Sequence, residues 1–81
     1  MNTWLITGCS SGLGKSLAKA VLEHGDQAIV TARNPKTVQQ YRECFPQTAL
    51  HLQLDVTKEE EIISSISRGI ERFGKIDVLV N

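Results

Sequence analysis

Four short apolar runs alternate with three segments of helical period, and this alternation constrains the fold more than any other feature of the chain. The runs are Thr3–Thr7 (TWLIT), Gln27–Ala32 (QAIVTA), Ala49–Val56 (ALHLQLDV) and Ile76–Asn81 (IDVLVN). Short apolar runs with β-branched residues, bounded by turn residues, read as strands. Between the first two, Leu13, Leu17, Ala18, Ala20 and Val21 share a face at helical spacing. With Gly25 as the cap, they predict a helix over about residues 13–24. Asn34 and Pro35 read as N-cap and first residue of a second, short helix, since proline lacks the N–H left unsatisfied there. Val38, Tyr41, Arg42 and Phe45 form its inner side, and Pro46 ends it. Thr57 and Glu60 have the spacing of a capping box before a third helix. Glu59, Glu60 and Glu61 at its start, with Arg68 and Arg72 near its end, complement the helix dipole. Ile62, Ile63, Ile66, Ile70 and Phe73 are its expected buried stripe, and Gly74 its stop. The order βαβαβαβ implies parallel strands joined by right-handed crossovers. The expectation is an α/β, doubly wound parallel sheet of strand order 3-2-1-4, one domain portion over residues 1–81 that stops within its fourth strand.

Composition narrows the partners. Nine Lys+Arg offset nine Asp+Glu in 81 residues, so the net charge is zero. A neutral balance gives no electrostatic reason to expect nucleic acid or an anionic membrane. The apolar runs fall far short of the ~20 residues that span a bilayer. No basic start followed by an apolar stretch suggests a signal peptide, so the default compartment is cytoplasmic. Cys9 and Cys44 have neither ligand spacing nor a disulfide framework and read as free, packing thiols. His24, at a helix end, and His51, in a strand, pair with no nucleophile and read as structural.

The sharpest local feature lies between the first strand and first helix: Thr7-Gly8-Cys9-Ser10-Ser11-Gly12-Leu13-Gly14. Glycines here allow a tight turn, close backbone approach to a phosphate, and close packing of helix on sheet. The helix N-terminus offers free N–H groups and a positive dipole end to an anion. Gly14-Lys15-Ser16 imitates the end of a P-loop, but that motif needs a glycine where Cys9 stands. Lys15 therefore reads as a solvated lysine, and a P-loop NTPase is a distant alternative.

The GxxxGxG spacing resembles the cofactor loop of the short-chain dehydrogenase/reductase family. Asp55-Val56 ending the third run and Leu79-Val80-Asn81 ending the fourth match that family in the same order, so the resemblance covers the whole chain. TWLITGCSSGLGK, VTARNP, LDVT and RFGKIDVLVN look most like its hydroxysteroid and retinol dehydrogenase-like members. The resemblance implies a Rossmann-type nucleotide-binding fold. It also implies reversible hydride transfer between a nicotinamide and a small carbonyl or alcohol substrate, and a homo-oligomeric parent protein. Its site residues would be Gly8, Ser10, Ser11, Gly12, Leu13 and Gly14 in the loop, Asp55 and Val56 against the adenine, and Asn81 along the cofactor. Asp55 has a second reading, as an acceptor of backbone N–H groups at the strand end. The family's catalytic Ser and Tyr-x-x-x-Lys have no counterpart here; Tyr41 is followed four residues later by Phe45. No catalytic residue is assigned.

An acid about 20 residues past such a loop binds the ribose 2′-hydroxyl. Here the second run ends Thr31-Ala32-Arg33, and Asp26 lies at its other end. Arg33 carries a planar fork of donors suited to phosphate. The expected cofactor is therefore NADP(H) rather than NAD(H), with Ser10 and Ser11 as further hydroxyl contacts. The alternative is a non-catalytic nucleotide-binding module or truncated product, and an exposed fourth strand would make such a fragment prone to edge association.

Overall fold

The computed structural model describes all 81 residues. Its elements are β1 (Thr3–Ile6), α1 (Gly12–Glu23), β2 (Gln27–Ala32), a 3₁₀ turn (Pro35–Val38) running into α2 (Gln39–Cys44), β3 (Ala49–Gln53), α3 (Glu59–Phe73) and β4 (Val78–Val80). The four strands form one parallel sheet in the order β3-β2-β1-β4. β1 is internal: Leu5 pairs with Ile29 of β2 on one side and with Leu79 of β4 on the other. The sheet is the doubly wound arrangement expected from the alternation.

Strand side chains alternate between two cores, as a period of two requires. Ile6, Ala28, Val30 and Ala49 join Ala18, Val21 and Leu22 of α1 and Val38 and Tyr41 of the α2 segment. Leu5, Ile29 and Leu52 face the other way, where Ile66 and Phe73 of α3 pack. α3 approaches closely at Gly69, where a methyl group would strike the Ile29 side chain.

Several local expectations shift. α1 buries Ala18, Val21 and Leu22, while Leu13 is 84% exposed and Ala20 lies on the outer face. Leu13 stands in the first turn of α1, ahead of its buried residues. Arg42 and Cys44 are exposed on the outer side of α2, although Tyr41 is buried. β3 ends at Gln53 rather than Val56. The Leu54 N–H still reaches the Ala32 carbonyl at 2.9 Å, but Asp55 then turns the chain by accepting the Thr57 N–H at 3.0 Å and the Thr57 hydroxyl at 2.6 Å. That turn removes Thr57 from the capping position: the N-cap of α3 is Lys58, with no side-chain cap. Glu61, not Glu60, reaches back, accepting the Asp55 N–H at 2.9 Å. β4 likewise spans only Val78–Val80, with Asn81 beyond it.

The α3 stripe is also narrower than its isoleucines suggest. Ser65 and Gly69 are buried, whereas Ile63 and Ile70 are 59% and 46% exposed. At about 100° per residue, these two lie well round the helix from the Ser65–Gly69 line, toward its outer face. Glu61 and Arg68 flank the other side of that line, beside Leu52 and Gln53 of β3.

Two carboxylates tie down the start of β1. Asp26 accepts the Asn2 N–H at 3.1 Å and the Trp4 indole N–H at 3.3 Å. Asp77 accepts the Thr3 N–H at 2.8 Å and lies 3.2 Å from the Lys75 ammonium. These donors hold both acids below the ordinary aspartate value, the Asn2 N–H leading at Asp26 and the Thr3 N–H at Asp77. A depressed folded pKa stabilises the fold above the unfolded value and loses that contribution as pH falls through the folded one. Stability should therefore decline below about pH 4. Asp77→Asn and Asp26→Asn should each flatten that decline, read as the urea midpoint against pH.

Candidate functional site

β1 ends at Ile6, and the chain then doubles under itself to enter α1. Gly8 and Gly12 take positive φ values of 64° and 60°, which β-carbons disfavour. A methyl at either would meet nothing within 4 Å, so both present bare backbone to open space. Gly14 is constrained differently. A methyl there would strike the Gly8 carbonyl oxygen and approach the Thr7 oxygen to 2.9 Å, so the first turn of α1 lies directly on the loop backbone.

The donors this turn leaves free are the basis of the site. Ser11 is the N-cap in extended conformation and its side chain makes no cap bond. The Lys15 N–H makes the first helical bond, to the Ser11 carbonyl at 3.3 Å, so the N–H groups of Gly12, Leu13 and Gly14 precede it. The first turn of α1 carries no acid, in contrast to the three glutamates that begin α3. An anion therefore meets donors and the positive dipole end without a competing carboxylate.

The loop lines a cleft of about 590 Å³ at the carboxyl ends of the strands. Thr7, Gly8, Ser10 and Ser11 form one wall. Ala32 ends β2 and Arg33, Asn34 and Thr37 follow it, Leu54 to Thr57 follow β3, and Asn81 follows β4. The strand order reverses at β1, so the cleft occupies the topological switch point where such sheets bind ligands. Of the sequence-expected residues, Gly8, Ser10, Ser11, Arg33, Asp55, Val56 and Asn81 share this cleft. Gly12, Leu13 and Gly14 lie outside its wall, in the turn that shapes it.

Each wall is braced from within the chain. Arg33 is exposed, and Asn34 beside it caps the 3₁₀ turn, its Oδ1 accepting the Lys36 N–H at 3.1 Å. The Thr37 hydroxyl donates to the Asn34 carbonyl at 2.7 Å. The sequence marks Asn34 only as a helix cap and gives Thr37 no role; the cap itself fixes both beside Arg33. Asp55 does take the structural role anticipated for it, in the turn with Thr57. The Thr57 hydroxyl and N–H hold its carboxyl below the ordinary range, with Lys58 and Arg33 contributing charge. Thr7 donates its N–H to the Val80 carbonyl at 3.0 Å and its hydroxyl to Asn81 Oδ1 at 3.1 Å, joining the loop to the end of β4. Asp26 stays at the far end of β2, engaged with Asn2 and Trp4. Lys15 is exposed and absent from the cleft wall. No helix is long and apolar enough to cross a membrane.

Known proteins share both the sequence and this geometry. The family model described as short chain dehydrogenase matches residues 2–81. An oxidoreductase of Botryotinia fuckeliana, BOA17, is 39% identical over 79 residues, covering 96% of this chain and 29% of that protein. The crystal structure of a short-chain dehydrogenase from Streptomyces avermitilis superposes with a TM-score of 0.90 at 37% identity, over 98% of this chain and 30% of that one. The 3-ketoacyl-(acyl-carrier-protein) reductase of Brucella melitensis, solved in complex with NADH, gives 0.89 at 27% identity, over 96% and 32%. The chain thus spans about a third of the length of each of these three proteins. A loop of this spacing, at the switch point of a sheet in this order, within a match running almost end to end, makes the chain a member of the short-chain dehydrogenase family.

Proposed function

We propose that the chain is the NADP(H)-binding portion of an oxidoreductase that moves hydride reversibly between a nicotinamide and a small carbonyl or alcohol substrate. The observation that carries this reading is the meeting of Arg33 with the glycine loop in one cleft. The NADH bound by the Brucella melitensis relative supports a nicotinamide dinucleotide as the ligand class. When bound, the nicotinamide supplies the hydride chemistry. The residues of this chain bind and orient. The N–H groups from Ser10 to Gly14 take the pyrophosphate at the helix N-terminus. Arg33, with Asn34 and Thr37 beside it, takes the 2′-phosphate that separates NADP(H) from NAD(H). Asp55 and Val56 form the adenine end, and Asn81, held by Thr7, lies toward the nicotinamide end. None of these residues is assigned a proton-transfer role.

The absence of an acid from the end of β2 favours the phosphorylated cofactor twice. It removes the acceptor for a free 2′-hydroxyl and the charge that would repel a 2′-phosphate. A charge-assisted hydrogen bond contributes about 1.5–3 kcal/mol, a preference of tens-fold or more. Arg33→Ala should therefore weaken NADPH binding by roughly 10- to 100-fold while leaving NADH binding nearly unchanged. Titration calorimetry with both nucleotides reads the ratio, and an unaltered ratio would sink the assignment.

The same reading extends to association. The outer edge of β4 pairs with no strand, and Leu79 on it is 62% exposed, on the side of the sheet where Ile63 and Ile70 of α3 are bare. An unpaired edge beside apolar side chains is a template for another chain. The 81-residue chain in isolation should self-associate in a concentration-dependent way in sedimentation velocity. A Leu79→Lys variant should shift it toward monomer, and a monomeric chain with cooperative unfolding would contradict this.

A further inference from the structure

The glycine loop is held from below as well as aimed from above. Cys9, in its middle, is fully buried. Its N–H donates to the Thr31 carbonyl at 2.9 Å and its thiol to the Ile6 carbonyl at 3.2 Å. The Thr31 hydroxyl donates to that same Ile6 carbonyl at 2.8 Å. The loop is thereby stitched to the ends of β1 and β2. Burial pushes the Cys9 thiol up to about 11, which keeps it a neutral donor.

The Cys9 carbonyl is the remaining polar group, and no backbone N–H reaches it. Its partner is the hydroxyl of Tyr41, at 3.3 Å. The same hydroxyl lies 3.4 Å from the carbonyl of Lys15, in the first turn of α1. One phenol proton is thus shared between the loop and the helix that the loop feeds. Tyr41 stands on α2, and its ring is packed in the core with Val38. It does not line the cleft.

We infer that Tyr41 is a positioning residue for the phosphate-binding loop, its hydroxyl setting the spacing between Cys9 and the first turn of α1. The inference rests on the dinucleotide reading for its consequence but not for its mechanism. The segment that follows β2 then has two separate duties. Arg33 at its start selects the ligand. Tyr41, in the first turn of α2, holds the donors that bind whatever phosphate the ligand carries. The shared bond matters because the loop approaches α1 without side chains at Gly8 and Gly14. Glycines allow that contact but do nothing to confine it. A buried carbonyl deprived of its donor also bears the full desolvation penalty, so the phenol resists displacement.

Tyr41→Phe keeps the ring and removes only the hydroxyl, so the core packing survives. In ligand-free protein, amide hydrogen exchange across residues 8–15 should rise about three- to tenfold, as expected for losing one neutral hydrogen bond. Exchange in β2 and β3 should stay unchanged. NADPH and NADH binding should weaken by the same factor, of similar size, with their ratio preserved; Arg33→Ala would alter that ratio instead. Tyr41→Leu, which removes the ring as well, should loosen the loop at least as much. Unchanged exchange at residues 8–15 in Tyr41→Phe would overturn the inference, and so would a uniform rise across the whole sheet, which marks a purely structural tyrosine. If the loop loosens as expected but the wild-type protein binds neither nucleotide, the holding role stands and the dinucleotide reading fails.

Discussion

Everything in this chain is arranged around the internal position of β1. Its parallel pairing on both sides, with β2 and with β4, requires crossovers over the sheet, and those crossovers cover opposite faces. α1 and α2 lie on one side, while α3 lies on the other. The strand order therefore reverses at β1, and the loop that leaves β1 opens into the cleft at the carboxyl ends of the strands. A ligand site at that point follows from chain topology before any side chain is considered.

Backbone chemistry then fills the opening. Three glycines meet there, yet they do different things. Gly8 and Gly12 turn the chain and leave its backbone bare, while Gly14 lets α1 settle onto the loop. The consequence is a helix N-terminus free of carboxylates and of a side-chain cap. α3 shows the opposite solution: three glutamates satisfy its dipole, and no anion is invited. The contrast between two helix starts in one small sheet is an electrostatic one, set by a handful of residues.

Local rules failed in the chain where neighbouring turns competed with them. Thr57 and Glu60 carry the spacing of a capping box, but the Asp55 carboxylate holds Thr57 in a tighter turn, and Glu61 reaches back in place of Glu60. The third strand runs out for the same reason, since a residue engaged in that turn cannot continue a ladder. Ile63 and Ile70 fit a helical stripe by spacing, yet α3 seats its narrowest residues, Ser65 and Gly69, against the sheet and leaves these two to one side. Periodicity identifies the apolar half of a helix; the distance to the sheet decides which part of that half is covered.

The alternation of elements, the parallel order of the sheet and the glycine loop are legible in the residues alone, because hydrophobic period and backbone sterics act over short stretches and crossover handedness over one βαβ unit. The residue that follows β2 is equally plain there, Arg33 and not an acid. Tertiary structure alone decided which side chains meet. Asn81 meets Thr7 across 74 residues, and Tyr41 reaches the Cys9 carbonyl across 32. Such contacts depend on how strands and helices stack in three dimensions, and no local pattern encodes the distance between residues that far apart.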